Sequence, residues 1–267
     1  MTHAPDPIDA LTADADEVDR MVAGLAPAEW ETSTPAPGWT VAHQVAHLAA
    51  TFKLAAAAAG TPEMFKKIVA SLSPDFDANV RAAMAPYLAQ PPEQLLQSWR
   101  AELNASAKAL RAVPADSVVP WLVRPLPPAV LAAAGMMELF GHGQDIADGL
   151  GIERTYTDRI CLLVAFAVRT WDFGYQARGL PTPDVSIRFE LTAPSGALWT
   201  FGPEESDQRV TGRGADFCLL VTRRRHRDDL ALSATGDIAD GWLNIAQAYR
   251  GPAGEGRKPG QFAALSS

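Results

Sequence analysis

Glu138 and His142 stand four residues apart in GMMELFGHGQDIADGLG, and His47 closes the histidine pair of GWTVAHQVAHLAA earlier in the chain. On a helix, side chains four positions apart point the same way, so Glu138 and His142 present a carboxylate and an imidazole together. Two imidazoles and one carboxylate are a usual donor set for a catalytic zinc. They leave one coordination position for water, thiolate or substrate. On spacing alone a rival reading stays open. Glu138 and His142 then bond only to each other and His47 is a satisfied core residue, since Glu-x-x-x-His also occurs on solvated helix faces.

Two further residues flank this set. His43 lies one turn before His47 on much the same face. It reads as a general base or as an exposed residue near the helix start, with a fourth-ligand role the less favoured alternative. Asp145 lies one turn beyond His142. It either accepts the imidazole N–H, the usual arrangement behind a zinc ligand, or sits exposed at the mouth of the bundle. Gln144 and Asp148 point to other sides and read as structural.

Four helices must position these residues. Ile8, Leu11, Ala15, Val18, Val22 and Leu25 recur at three- and four-residue steps, a bundle seam. After Pro27 and the APGW turn, Thr40 is an N-cap for a second helix, with Val41, Val45, Leu48, Phe52 and Ala55 inward. A third helix follows Gln90–Pro91–Pro92, carrying Leu95, Trp99, Leu103, Ser106 and Leu110 on one side. The fourth follows PLPP, proline being tolerated in a first turn. Its stripe runs Leu131, Ala134, Glu138, His142, Asp145, Gly149. Ligand-type residues replace leucine in mid-stripe, where burial without partners is costly, which favours a site over a surface accident. Between Gly60 and Pro86 the pattern is less regular and fits short helices or a lid.

The second half changes character. A helix is expected from Asp158 to Gln176, then a turn-rich GLPTPDV. VSIRFELTA and ALWTFG alternate around Pro-Ser-Gly, a hairpin signal. QRVTG adds a third strand, ADFCLLVTRRRH reads as helix or strand, and DIADGWLNIAQAYR as a final amphipathic helix. Trp30, Trp39, Trp99 and Trp121 line a cleft or, more commonly for tryptophan, the core.

The bulk numbers narrow the classes. With 267 residues, 48% apolar and 20% charged, the chain has ample core material. A net charge of −8 argues against a nucleic-acid partner, which needs a basic face. No apolar run approaches a membrane span. MTHAPDPIDALTADADEVDR lacks the basic start and apolar block of an export signal. Cys161 and Cys218 sit among apolar residues and read as small hydrophobes. The expected compartment is therefore a reduced cytoplasm, and any thiol the chemistry needs arrives from outside.

GWTVAHQVAHLA followed by MELFGHGQDIADGLG resembles the DinB-like metal-binding superfamily. More narrowly, it is similar to the mycothiol-dependent maleylpyruvate isomerase branch. The tryptophan–small–x–x–x–His–Leu helix of that family is matched up to His47–Leu48, and its Glu-x-x-x-His-x-x-Asp helix by Glu138, His142 and Asp145. The resemblance implies metal-ligand roles for His47, Glu138 and His142, with zinc the favoured metal and nickel or iron alternatives. It also implies that the metal holds mycothiol or a related small thiol as thiolate for addition to an electrophilic substrate. An arginine near TRRRH matters in that branch, and Arg223 and Arg224 are the nearest candidates. The basic run departs from the family pattern, either as a solvated face or as an anion-binding wall. The expectation is a related enzyme with a different, anionic or electrophilic small-molecule substrate.

The expected fold is α+β. A DinB-like four-helix bundle spans residues 5–152, a smaller sterol-carrier-like α/β domain 153–255, and a loose tail 256–267. The expected function is metal-dependent thiol addition, as isomerase or S-transferase. The rivals are a metal-activated-water hydrolase, hydratase or lyase, and a lipid or acyl-CoA binding protein with a structural metal. A fourth protein ligand, His43, would favour the last. No sequence feature selects an oligomeric state, a dimer included.

Overall fold

The computed structural model describes residues 5–262, in two compact units that divide at Ile152/Glu153. In the N-terminal unit, helix α1 (Pro7–Val22) starts where the Asp6 carboxylate accepts the Ile8 and Asp9 N–H groups, with Pro7 in the first turn. It buries Ile8, Leu11, Ala15, Val18 and Val22; Leu25 falls beyond the helix end. Helix α2 (Val41–Gly60) buries all five expected seam residues. The irregular stretch resolves into two helices, α3 (Pro62–Ala70) and α4 (Phe76–Leu88), the second capped by the Asp75 carboxylate. Helices α5 (Pro92–Ala112) and α6 (Pro128–Leu150) complete the unit. Gly151, at φ 68°, ends α6 in the left-handed conformation that glycine adopts freely.

Four long helices thus form the bundle, with α3 and α4 added to it. α2 packs chiefly on α5, α1 on α6, and α2 also on α6. Arg100 grips the Asp19 carboxylate through two bonds of 2.6 and 2.9 Å, and Arg111 reaches Asp9 at 2.5 Å, tying α5 to α1. Both pairs are exposed and contribute at most about 1 kcal/mol each. Closer control comes from Gly135 in α6. A Cβ there would stand 3.0 Å from Leu11 of α1 and 3.3 Å from the Phe52 ring of α2.

In the C-terminal unit, the sheet runs β2-β1-β3-β4. Strands β1 (Arg188–Thr192) and β2 (Leu198–Phe201) form the expected hairpin, with Phe189 opposite Phe201. β3 (Arg209–Arg213) lies parallel to β1, and β4 (Leu232–Thr235) antiparallel to β3. The expected Asp158–Gln176 helix is broken into α7 (Cys161–Arg169) and α8 (Phe173–Gln176). Thr170 supplies the reason: its hydroxyl is drawn to the carbonyls of Phe166 and Ala248, and its backbone leaves the helical region. Helix α9 (Gly214–Val221) stops before the arginine run, and α10 (Asp237–Ile245) stops before AQAYR. Phe189, Phe217 and Trp242 build the core, with ring centroids 5.4–6.0 Å apart. Gln208 caps α10 from outside the helix, its Oε1 accepting the Ile238 and Ala239 N–H groups at 3.1 Å.

The tail expected to be loose is tethered as far as Phe262. Gly260 N–H donates to Asp229 at 2.8 Å, and the Arg225 guanidinium stacks 3.8 Å above the Phe262 ring. Residues 263–267 lie outside the described residues. No helix among the described residues is long and apolar enough to cross a membrane.

Gly135→Val should push α6 away from α1 and α2. Urea unfolding is expected to show a loss of about 1–3 kcal/mol, the usual cost of overpacking. A variant as stable as the wild type would mean the contact is slack.

Candidate metal centre

Helix α2 supplies His47 and helix α6 supplies Glu138 and His142, all from the N-terminal unit. Glu138 Oε2 lies 3.2 Å from His142 Nε2 and 3.5 Å from His47 Nε2. One ligand atom from each residue falls within 4.8 Å of the other two. Donors placed tetrahedrally at ~2.0–2.2 Å from zinc are separated by roughly 3.3–3.6 Å. Both measured separations to the carboxylate lie at or near that edge length, so the donor set fits a zinc-sized cation. Three donors define one face of a tetrahedron and leave its fourth corner to a ligand from outside.

The surroundings explain how polar groups persist here. Trp39 stands at the end of the Ala36–Pro37–Gly38–Trp39 turn, closed by Trp39 N–H to the Ala36 carbonyl at 3.0 Å, with Gly38 at φ 76°. Proline second and a positive-φ glycine third make the type II pattern. The turn delivers the indole against the site, 5.9 Å from the His142 ring at 18° and 5.4 Å from the His47 ring. A Cβ at Gly149 would stand 3.0 Å from the Ser33 carbonyl, so α6 passes close beneath this loop.

Behind His142 the sequence reading needs correction. The partner at His142 Nδ1 is Gln44 Oε1, at 2.6 Å, a residue of α2 that the sequence did not single out. Asp145 is buried rather than exposed at a bundle mouth. Gln44 is fully buried, and its Nε2 donates to Thr34 Oγ1 at 2.8 Å. Gln44, a glutamine beside a valine-rich seam, carries no distinctive sequence signal. Its one clue was a polar residue on the inward side of an apolar helix.

His43 also takes a different job. Its Nδ1 accepts the Thr40 N–H at 3.3 Å and lies 2.9 Å from Thr40 Oγ1, closing a cap on α2. The metal-ligand group does not include His43. Of the four tryptophans, Trp39 flanks the site, Trp30 and Trp99 are core, and Trp121 stacks on Phe65.

Arg223 and Arg224 belong to the C-terminal unit, immediately after α9. Arg223 has φ 58°, the only positive φ among non-glycine described residues. Arg223 N–H donates to the Leu220 carbonyl and Arg224 N–H to the Leu219 carbonyl, both at 2.8 Å. These two bonds form a Schellman motif with arginine where glycine is usual. Burial, with the neighbouring Arg223 charge, holds the Arg178 guanidinium below its ordinary range.

Electrostatics at the donor set are coupled. Burial alone would raise the Glu138 carboxyl, but hydrogen bonds to His142 and His47 outweigh it and hold the group well below the usual carboxylate range.

An α+β chain with this bundle and this donor set is of the DinB-like kind. Residues 11–147 match the family model described as the mycothiol maleylpyruvate isomerase N-terminal domain, and the chain belongs to that family. Residues 183–235 match a model described as wyosine base formation, which covers a minor part of the chain. Uncharacterized proteins from two strains of Mycobacterium tuberculosis are 39% identical over 247 residues, covering 92% of this chain and 96% of theirs. The crystal structure of the mycothiol-dependent maleylpyruvate isomerase shares the fold, with a TM-score of 0.57 at 16% identity over 85% of this chain and 91% of that one. A histidine-to-alanine mutant of that enzyme gives 0.56 at 15%.

Protein purified without chelator is expected to carry close to one divalent metal per chain by mass spectrometry, and Glu138→Ala to lose it. Wild type still empty after zinc reconstitution would end the metal reading. In the metal-free protein, a depressed carboxyl adds stability above its ordinary pKa of about 4.3, lost as pH falls. Glu138→Gln should therefore unfold earlier than wild type at pH 6, and the gap should begin to narrow only below about pH 4, as pH falls toward the depressed folded value.

Proposed function

We propose that this protein is a zinc-dependent enzyme that uses a small thiol, mycothiol or a relative, for addition to an electrophilic small molecule. Expulsion of the thiol after bond rotation makes the reaction an isomerisation; retention makes it an S-conjugation. The observation that carries this reading is the three-donor group of His47, Glu138 and His142, with the Glu138 carboxylate 3.2 and 3.5 Å from the two imidazoles. Zinc held there supplies a Lewis acid that lowers the pKa of a thiol or water taking the fourth position.

The chain's own residues divide the remaining work. His47, Glu138 and His142 hold the cation, and two neutral imidazoles with one carboxylate leave it a net positive charge. Trp39 forms an apolar wall beside His47 and His142, limiting water at the open corner. His43, its Nδ1 tied to Thr40, closes the cap at the start of α2. Neither cysteine offers an internal substitute for the thiol. Cys218 is buried, and burial together with the Asp158 charge pushes the Cys161 thiol up, away from thiolate.

Arg223 is assigned to a substrate anion. A non-glycine residue at φ 58° costs roughly 1 kcal/mol or more, and such strain is retained where the side chain has a task. The closeness of Arg178 and Arg223 adds like-charge repulsion that a bound carboxylate or phosphate would relieve. Arg224 is a second candidate for the same anion.

Two measurements test this reading. The zinc-loaded protein, offered an unsaturated acid, should turn over only when a small thiol is present. Turnover that persists after all small thiols are removed would instead indicate activated water. Arg223→Gly should raise stability by about 0.5–1 kcal/mol in urea unfolding, while KM for an anionic substrate rises at least tenfold. Gain of stability with unchanged KM would remove the anion-binding role from Arg223.

A further inference from the structure

The hydrogen bonds behind His142 have a direction that can be deduced from their far end. The Trp39 carbonyl can only accept. It takes the Thr34 N–H at 2.8 Å and the Thr34 hydroxyl at 2.9 Å. Thr34 has one hydroxyl proton, now committed, so Oγ1 must accept from its other neighbour, Gln44 Nε2, at 2.8 Å. The glutamine amide is thereby turned with its oxygen toward α6. Gln44 Oε1 can only accept, so the 2.6 Å contact requires the proton to sit on His142 Nδ1. In the neutral ring this leaves the Nε2 lone pair facing Glu138 Oε2, 3.2 Å away. Two electron-rich atoms at that distance repel unless a cation or proton lies between them.

We infer that Gln44, oriented by Thr34 and through it by the Trp39 carbonyl, is a positioning residue that locks His142 as the Nδ1–H tautomer with Nε2 presented to the metal. The inference rests on the metal reading above and adds to it a residue outside the three donors. The relay begins at Trp39, whose indole also faces His142. One short turn therefore sets both the wall of the site and the tautomer of its ligand. Gln44 is fully buried, so no solvent competes for its amide. An apolar replacement would remove the Gln44 acceptor and with it the constraint that this bond places on the His142 tautomer.

The test uses the full chain and zinc alone as probe. Gln44→Leu should bind zinc about 10–100-fold more weakly in competition with a chromophoric chelator, the range usual for losing such a partner. Gln44→Glu keeps the acceptor and should stay within about threefold of wild type. Thr34→Val, which frees the amide to flip, should fall between them, and Thr34→Ser should restore binding. These milder variants keep the test open if the leucine variant does not fold. Nitrogen-15 spectra of histidine-labelled, metal-free protein provide a second readout. Wild-type His142 should carry a proton on Nδ1, whether or not Nε2 is also protonated, and loss of Gln44 should shift it toward Nε2–H alone. Unchanged zinc affinity in Gln44→Leu, or an unchanged tautomer, overturns the relay. Wild type that binds no zinc yet shows the tautomer shift would defeat the metal reading and leave the relay standing.

Discussion

The N-terminal unit is organised around keeping three electron-rich donors closer together than they would choose to be. A carboxylate oxygen and two imidazole nitrogens lie within 4.8 Å of each other, on two helices joined by packing and by the Gln44–His142 hydrogen bond. What holds α2 and α6 at that separation is close approach at small residues. Gly135 admits Leu11 and Phe52, and Gly149 admits the Ser33 carbonyl. Both glycines carry some cost in helix propensity, about 1 kcal/mol each relative to alanine. The gain is a helix spacing at which His47 can reach Glu138.

Polar groups in the middle of a packed bundle need partners, and the chain supplies them from two directions. Inside the bundle, Gln44 takes the back of His142 while Thr51 Oγ1 stands 3.4 Å from His47 Nε2. From the edge, the Ala36–Trp39 turn contributes an indole face and a backbone carbonyl. A loop can do this because its proline and glycine fix its shape before any tertiary contact forms. The site is therefore built on rigid helices and trimmed by one well-defined turn.

Charge is divided unevenly along the chain. Of 23 basic and 31 acidic residues, residues 1–152 hold 9 and 17, so they carry the whole net charge of −8. Residues 153–267 hold 14 of each, and all but one of the basic side chains there are arginine. Many of these arginines are occupied structurally: Arg188 and Arg209 share Glu190, and Arg227 holds Asp240. Arg223 stands apart because its backbone, rather than its ion pairing, is unusual. Strain at that position makes it a better functional candidate than its place in a basic run alone would.

Much of this was written in the sequence. The 3.6-residue period of Val41, Val45, Leu48 and Phe52 specified an inward face for α2, because burial of such residues dominates helix placement. Glu138 and His142 at one-turn spacing could be recognised as a pair, since local helix geometry needs no tertiary information. The β1–β2 hairpin was legible for the same reason, whereas β4, a short LSAT whose partner β3 lies 19 or more residues earlier, was not. The break at Thr170 escaped because its hydroxyl answers to Ala248, far along the chain. Sequence offers only neighbours on one helix, such as Asp145, as partners of His142; only tertiary packing could bring Gln44 across from another. The donor identities thus belong to the sequence, being a matter of residue type and local period. Their separation, the tautomer of His142 and the capping of His43 were decided by the fold, because each depends on a partner that chain order does not reveal.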